Sequence, residues 1–173
     1  MTGRAADEFV NALTAQLPAL RRYATALVGN RAAADDLVQD CIERALRQSA
    51  KLAQIERISG WLRAILHNVH IDDLRRKYRQ GGKVDLADAE DSAVLATSPG
   101  DPTAALDLER ALAGLSFEHR QVLLLIGLEG LNYREAADEL NIPMGTVMSR
   151  LARARERLRH AMEFPAVPKM KMP

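Results

Sequence analysis

One cysteine, Cys41, stands in 173 residues, so no disulfide can close within the chain. No Cys or His neighbours surround it at the spacing a zinc site requires, and it reads as a small apolar side chain on a buried helix face. Aromatic residues make up only 4% of the sequence. Ala, Leu and Arg are abundant instead, and such unbranched side chains lose little rotamer freedom in a helix. Long hydrophobic runs are also missing: the longest, Val122–Ile126, falls far short of the ~20 residues that cross a bilayer. Asp7 and Glu8 near the start leave no signal-like apolar segment, and a cytoplasmic protein without membrane insertion is expected. His67, His70, His119 and His160 are scattered; His67 and His70 lie three apart on a helical pattern without a third ligand or a nucleophile beside them. No catalytic residue, metal or cofactor is therefore expected. What is present in ordinary measure is apolar residue, 47% of the chain, which excludes wholesale disorder.

A net charge of +1 conceals an uneven distribution. Arg57, Arg63, Arg75, Arg76, Lys77, Arg79 and Lys83 cluster against Asp72 and Asp73. From Val84 to Glu109 there is no Lys or Arg, but Asp85, Asp88, Glu90, Asp91, Asp101, Asp107 and Glu109 follow one another. Arg150, Arg153, Arg155, Arg157 and Arg159 then stand against Glu156 alone. Two basic stretches flank an acidic strip.

Spacings of three and four dominate throughout. Phe9, Leu13, Leu17, Leu20, Ala24 and Leu27 make one helical face, with Pro18 expected to divide a short helix from a second that it begins. Gly29 and Asn30 end that helix and cap the next, which runs from about Arg31 to Gln48 with Leu37, Cys41 and Ala45 inward and Leu46 at the edge of that stripe. A looser stretch over 49–57 leads to a helix over about Ser59–Arg79, stopped by Gly81-Gly82. The segment 81–104, with paired glycines, acids, Pro99-Gly100 and Pro102, reads as a flexible acidic linker. Beyond it, Ser116 is expected to cap a helix over Phe117–Gly127. Asn132 with Glu135 makes a capping box for Tyr133–Leu140, and Asn141–Gly145 forms a turn into a last helix ending near Met162. The fold class expected is all-α, two small helical domains (residues 1–80 and 105–163) with a tail over 164–173.

The second domain carries the clearest signal. Two short helices joined by a tight turn form a helix-turn-helix. In the last helix Val147, Leu151, Ala154 and Leu158 pack inward, which leaves Thr146, Ser149, Arg150, Arg153 and Arg157 facing out. Such a face fits the major groove, where arginine can bond guanine bidentately and hydroxyls can reach bases or phosphates. A solvated basic surface is the plain alternative, but the turn, the cap and the arginine periodicity together favour DNA.

Residues 132–159, NYREAADELNIPMGTVMSRLARARERLR, resemble the promoter −35 reader of the extracytoplasmic-function (ECF) sigma factors. Asp35-Asp-Leu-Val-Gln-Asp40 resembles the core-polymerase-binding helix of that family. Trp61-Leu-Arg-Ala-Ile-Leu-His-Asn68, with Asp72 and Arg75-Arg76, resembles its −10 helix. The likeness is collinear over about 150 residues. It implies a transcription initiation factor, not an enzyme, whose partners are core RNA polymerase (β′ and β subunits), promoter DNA and an anti-sigma factor. By this resemblance Asp36, Leu37, Gln39, Asp40 and Glu43 would dock on polymerase, the acids meeting an arginine-rich coiled coil of β′. Asn68, Arg75, Arg76, Lys77 and Arg79 would serve the −10 element, with the loop 51–57 holding a flipped base and Asp72 orienting the arginines. Trp61 reads as a packing residue rather than a base stacker. Met148 departs from the pattern, standing where many relatives carry Lys or Arg. A dimeric helix-turn-helix regulator is the rival reading, and the polymerase-like and −10-like motifs argue against it.

Overall fold

The structure is a computed structural model that describes residues 3–52, 54–79 and 102–163, with side chains described for 6–50, 52, 54–76, 79 and 107–163. The linker over 81–101, the tail and the side chain of Lys77 lie outside the described residues. Among those described, the chain forms seven α-helices and two short 3-10 turns, with no strand.

The first helix, α1 (Gly3–Val28), runs unbroken through Pro18, contrary to the division expected there. Pro18 cannot donate to the carbonyl of Thr14, a loss worth about 3 kcal/mol in a helix interior. Phe9 and Leu13 before it, and Leu20, Tyr23, Ala24 and Leu27 after it, enter one buried cluster. Burial on both sides of the proline, at about 1.5–3 kcal/mol for each large side chain, outweighs the missing bond. Gly29 ends α1 in the left-handed region, φ +74°, and its amide bonds Thr25 O at 2.8 Å. The Asn30 side chain then accepts from the Ala33 amide at 3.0 Å and starts α2 (Arg31–Arg47).

Two 3-10 turns, Ser49–Lys51 and Ile55–Arg57, lead into α3 (Ile58–Arg79). The buried Cys41 thiol of α2 donates to Leu62 O of α3 at 3.4 Å, and burial pushes its pKa up to about 12. Trp61 meets Phe9 edge to face, centroids 6.1 Å apart, and so packs against the core. Tyr23 and His67 are buried together, with Tyr23 Oη 2.8 Å from His67 Nε2. Burial, reinforced by the charge of Arg63 and then His70, holds His67 down to about 3. It is a neutral core residue.

The second section contains α4 (Pro102–Ala113), α5 (Phe117–Gly127), α6 (Tyr133–Leu140) and α7 (Met144–Glu163). Helix α4 takes in the last positions assigned to the linker, and Pro102 suits its first turn because that N–H would have no helical partner. Ser116 occupies the N-cap position of α5 without capping it; its hydroxyl lies 3.0 Å from His119 Nδ1. Asn132 and Glu135 form the full capping box of α6. The turn into α7 is fixed by backbone. Asn141 is left-handed at φ 52°, the Ile142 amide bonds Ala137 O at 3.1 Å, and Pro143 O accepts from the Thr146 and Val147 amides.

The two sections share a core, a contact that helical periodicity alone does not reveal. One continuous cluster runs from Phe9 and Tyr23 through Leu62 and Leu66 to Val122, Leu125, Ala136, Val147 and Leu151. Leu112, Leu115 and Ala154 form a small satellite. Two arginines cross the boundary between sections. Arg120 of α5 donates to Leu27 O of α1 at 2.6 Å and to Ala113 O and Leu115 O, so its charge sits at the negative, C-terminal ends of two helices. Arg63 of α3 reaches into the second section by ion pairs to Glu129 and Glu139.

Candidate nucleic-acid and polymerase interface

The recognition face of α7 follows from its register. Val147 and Leu151 are buried in the main core, and Ala154 in the satellite cluster with Leu112 and Leu115. Helical geometry at 3.6 residues per turn then turns Ser149, Arg153 and Arg157 outward, and all three are exposed, while Thr146 and Arg150 are half-buried at the rim. Ser149 Oγ donates to Thr146 O at 3.0 Å, so one hydroxyl is tethered to the helix rather than projecting freely. Arg150, Arg153 and Arg157 form no ion pair among the described residues. Their field is felt at His119, whose pKa is lowered by burial and then by Arg157, Arg153 and Arg150, against Glu118. His119 of α5 thus feels the charge of this face from the neighbouring helix, although its sequence position gave it no role. Met148 is 49% exposed on the same helix, an apolar group among cations.

Helices α2 and α3 frame a groove of about 790 Å³ lined by Asp40, Glu43, Arg44, Arg47, Asp72 and Arg76 among others. Asp36, Gln39, Asp40 and Glu43 are exposed on or near the outer face of α2. Leu37 is not: at 6% exposure it lies in the core, so it supports that face from beneath and offers a partner almost no surface. Asn68, Arg75, Arg76 and Arg79 are exposed along α3. Asp72 does not orient the arginines of its own helix; it pairs with Arg44 of α2 at 3.1 Å, while Asp73 pairs with Arg76. Arg44 and Arg47 were passed over in the sequence. Their place one turn beyond Asp40 and Glu43 was the available signal, and Arg47 pairs with Glu43 at 3.0 Å. The groove thus joins the acidic and basic candidate sets through alternating charges.

Two family models match collinearly: the Sigma2 domain of PhyR over residues 13–67 and Sigma-70, region 4 over residues 105–158. The chain is 36% identical over 155 residues to the ECF RNA polymerase sigma factor EcfG of Rhodopseudomonas palustris, covering 88% of this chain and 83% of that one. The chain belongs to the ECF RNA polymerase sigma factors. It is a transcription initiation factor that directs polymerase to promoters, and it is not an enzyme. Among solved structures it is similar to the sigma factor RpoE of Bartonella quintana, in a co-crystal with the anti-sigma factor NepR. The TM-score is 0.78 at 31% identity, over 91% of this chain and 98% of that one. It also shares the fold of the PhyRSL–NepR complex from Sphingomonas at TM-score 0.61 and 20% identity, over 94% and 95% of the two chains. No helix among the described residues is long and apolar enough to cross a membrane.

Proposed function

We propose that this ECF sigma factor divides its work between the two framed surfaces. The acidic face of α2, Asp36, Gln39, Asp40 and Glu43 over a buried Leu37, docks on core polymerase. Asn68, Arg75, Arg76, Lys77 and Arg79 of α3 engage the −10 element, the amide of Asn68 at a base edge and the cations on phosphates. Thr146, Ser149, Arg150, Arg153 and Arg157 of α7 engage the −35 element. The observation that carries this reading is the arginine face of α7 inside the region 4 match, which forms no ion pair among the described residues, because cations so placed are available to phosphate and guanine. The domains are taken as 1–80 and 102–163, with α4 opening the second and 81–101 as tether. The factor works in the cytoplasm, where polymerase is. An anti-sigma factor is an expected further partner, since the similar Bartonella sigma factor was solved with one.

Run-off transcription with core polymerase on a genomic promoter library tests the reading. Transcripts sharing upstream elements are expected, together with loss of core binding in an Asp40→Lys/Glu43→Lys variant. Failure of the wild-type chain to bind core polymerase would overturn it.

A further inference from the structure

The pairing of Arg63 asks for an account that neither polymerase binding nor promoter reading provides. Arg63 Nε and Nη2 donate to the two carboxylate oxygens of Glu139 at 2.9 Å each, and Nη1 donates to Glu129 Oε2 at 2.7 Å. All three side chains are about nine-tenths buried. The partners lie 66 and 76 residues away in sequence and on the far side of the boundary between sections. Gly60, one turn before Arg63, completes the arrangement: a Cβ there would stand 3.3 Å from Glu139 Oε2. Its bare backbone lets the carboxylate approach α3 closely.

A buried, forked ion pair is a good register device and a weak glue. Its mutual attraction largely offsets the cost of removing three charges from water, so it fixes geometry while adding little net stability. When the surfaces separate, all three charges regain their hydration. Such a contact is specific when closed and adds little of its own to the cost of opening, most of which lies in the apolar cluster that the sections share. That combination suits two sections meant to part.

They must part for the function. A compact chain of this length has a radius of gyration of about 16 Å and spans about 40 Å. Elements centred near −10 and −35 lie about 25 base pairs apart, about 85 Å along B-form DNA at 3.4 Å per pair. With α3 and α7 held in one core, the chain cannot touch both.

We propose that Arg63, Glu129, Glu139 and the clearance at Gly60 form an internal latch that keeps the free sigma factor shut and restrains it until core polymerase draws the sections apart. The restraint is built from this chain's own residues and needs no inhibitor. Its functional half rests on the promoter reading proposed above.

Two full-length variants test it, neither altering a residue assigned to DNA or polymerase: Glu129→Gln/Glu139→Gln, which at nearly constant shape leaves Arg63 buried without a counter-charge when the sections are closed, and Gly60→Leu, which drives a side chain into the Glu139 carboxylate while favouring helix. Circular dichroism verifies that each is folded. Small-angle scattering of the free proteins should show a radius of gyration rising from the compact value to about 20 Å or more. In transcription with purified core polymerase and promoter DNA alone, the half-saturating sigma concentration should fall, by up to about tenfold if the wild type is shut nine-tenths of the time. Folded variants that scatter like the wild type would overturn the latch. Expanded variants with an unchanged half-saturating concentration would overturn the restraint. If even the wild type gave no promoter-dependent transcript, the functional reading would fail, and scattering alone would still decide whether the latch exists.

Discussion

Acidification should weaken this protein through one identifiable histidine. His67 is buried and neutral, its pKa pushed from 6.5 to about 3 chiefly by loss of solvent. In the unfolded chain the same imidazole takes a proton as pH falls through 6.5, whereas in the folded chain it does not until near 3. Across that window the unfolded state binds more protons, so stability rises with pH and is lost on acidification. Linkage gives a loss of about 2 kcal/mol between pH 7.5 and pH 5 from this residue alone. Glu139 works in the opposite sense near its own pKa, which burial raises against the pull of Arg63, and His119, lowered chiefly by burial, adds to the loss. Comparison with His67→Gln removes those shared contributions. Urea unfolding at pH 7.5 and pH 5 should show the wild type losing about 2 kcal/mol more than the variant on acidification, whatever the variant's absolute stability. Equal losses in the two proteins would refute the assignment of a buried, neutral His67.

The Cys41 thiol, held up to about 12 by burial, should be inert to Ellman's reagent in the native protein and react fully in denaturant; prompt native labelling would contradict its place in the core. Asn132→Ala removes the side chain that accepts from the Arg134 and Glu135 amides and should cost about 1 kcal/mol, read as a lowered urea midpoint with an unchanged slope. Arg153→Ala should weaken −35 binding; a uniform loss across sequences with the log–log salt slope reduced by about one marks a phosphate contact, whereas relaxed choice at one base pair marks base reading. No change in either would remove Arg153 from the interface. Met148→Lys should steepen the salt slope, and an unchanged slope would place position 148 away from phosphates.

Local physics was legible and distant pairing was not. The caps at Asn30 and Asn132 could be read from residue type and spacing, because each involves atoms only two or three positions away. The inward stripe of Val147, Leu151 and Ala154 was equally plain, since helical periodicity is a local property. Pro18 misled because the proline rule is local while the burial that overrides it comes from other helices. Asp72 was matched to cations of its own helix, but its partner, Arg44, comes from the neighbouring one. Nothing in the pattern around Arg63 announces carboxylates from α5's end and α6, and Leu37 sits one position inside a face otherwise made of exposed residues. Each miss depends on which helices meet, information that spacing along one helix does not hold.

The turn at Asn141–Pro143 has a consequence for how such a factor can change. Because backbone hydrogen bonds and the core residues Val147 and Leu151 aim α7, exposed side chains such as Met148, Arg153 and Arg157 contribute little to keeping the helix in place. They can be exchanged at small cost to folding, surface positions of this kind shifting stability by only about half a kcal/mol. If α7 reads the −35 element as proposed, new promoter preferences are open to this scaffold by single substitutions. Insertion of one residue within α7, between Leu151 and Arg153, would instead rotate everything beyond it by about 100°, moving Arg153, Ala154 and Arg157 off their present faces at once.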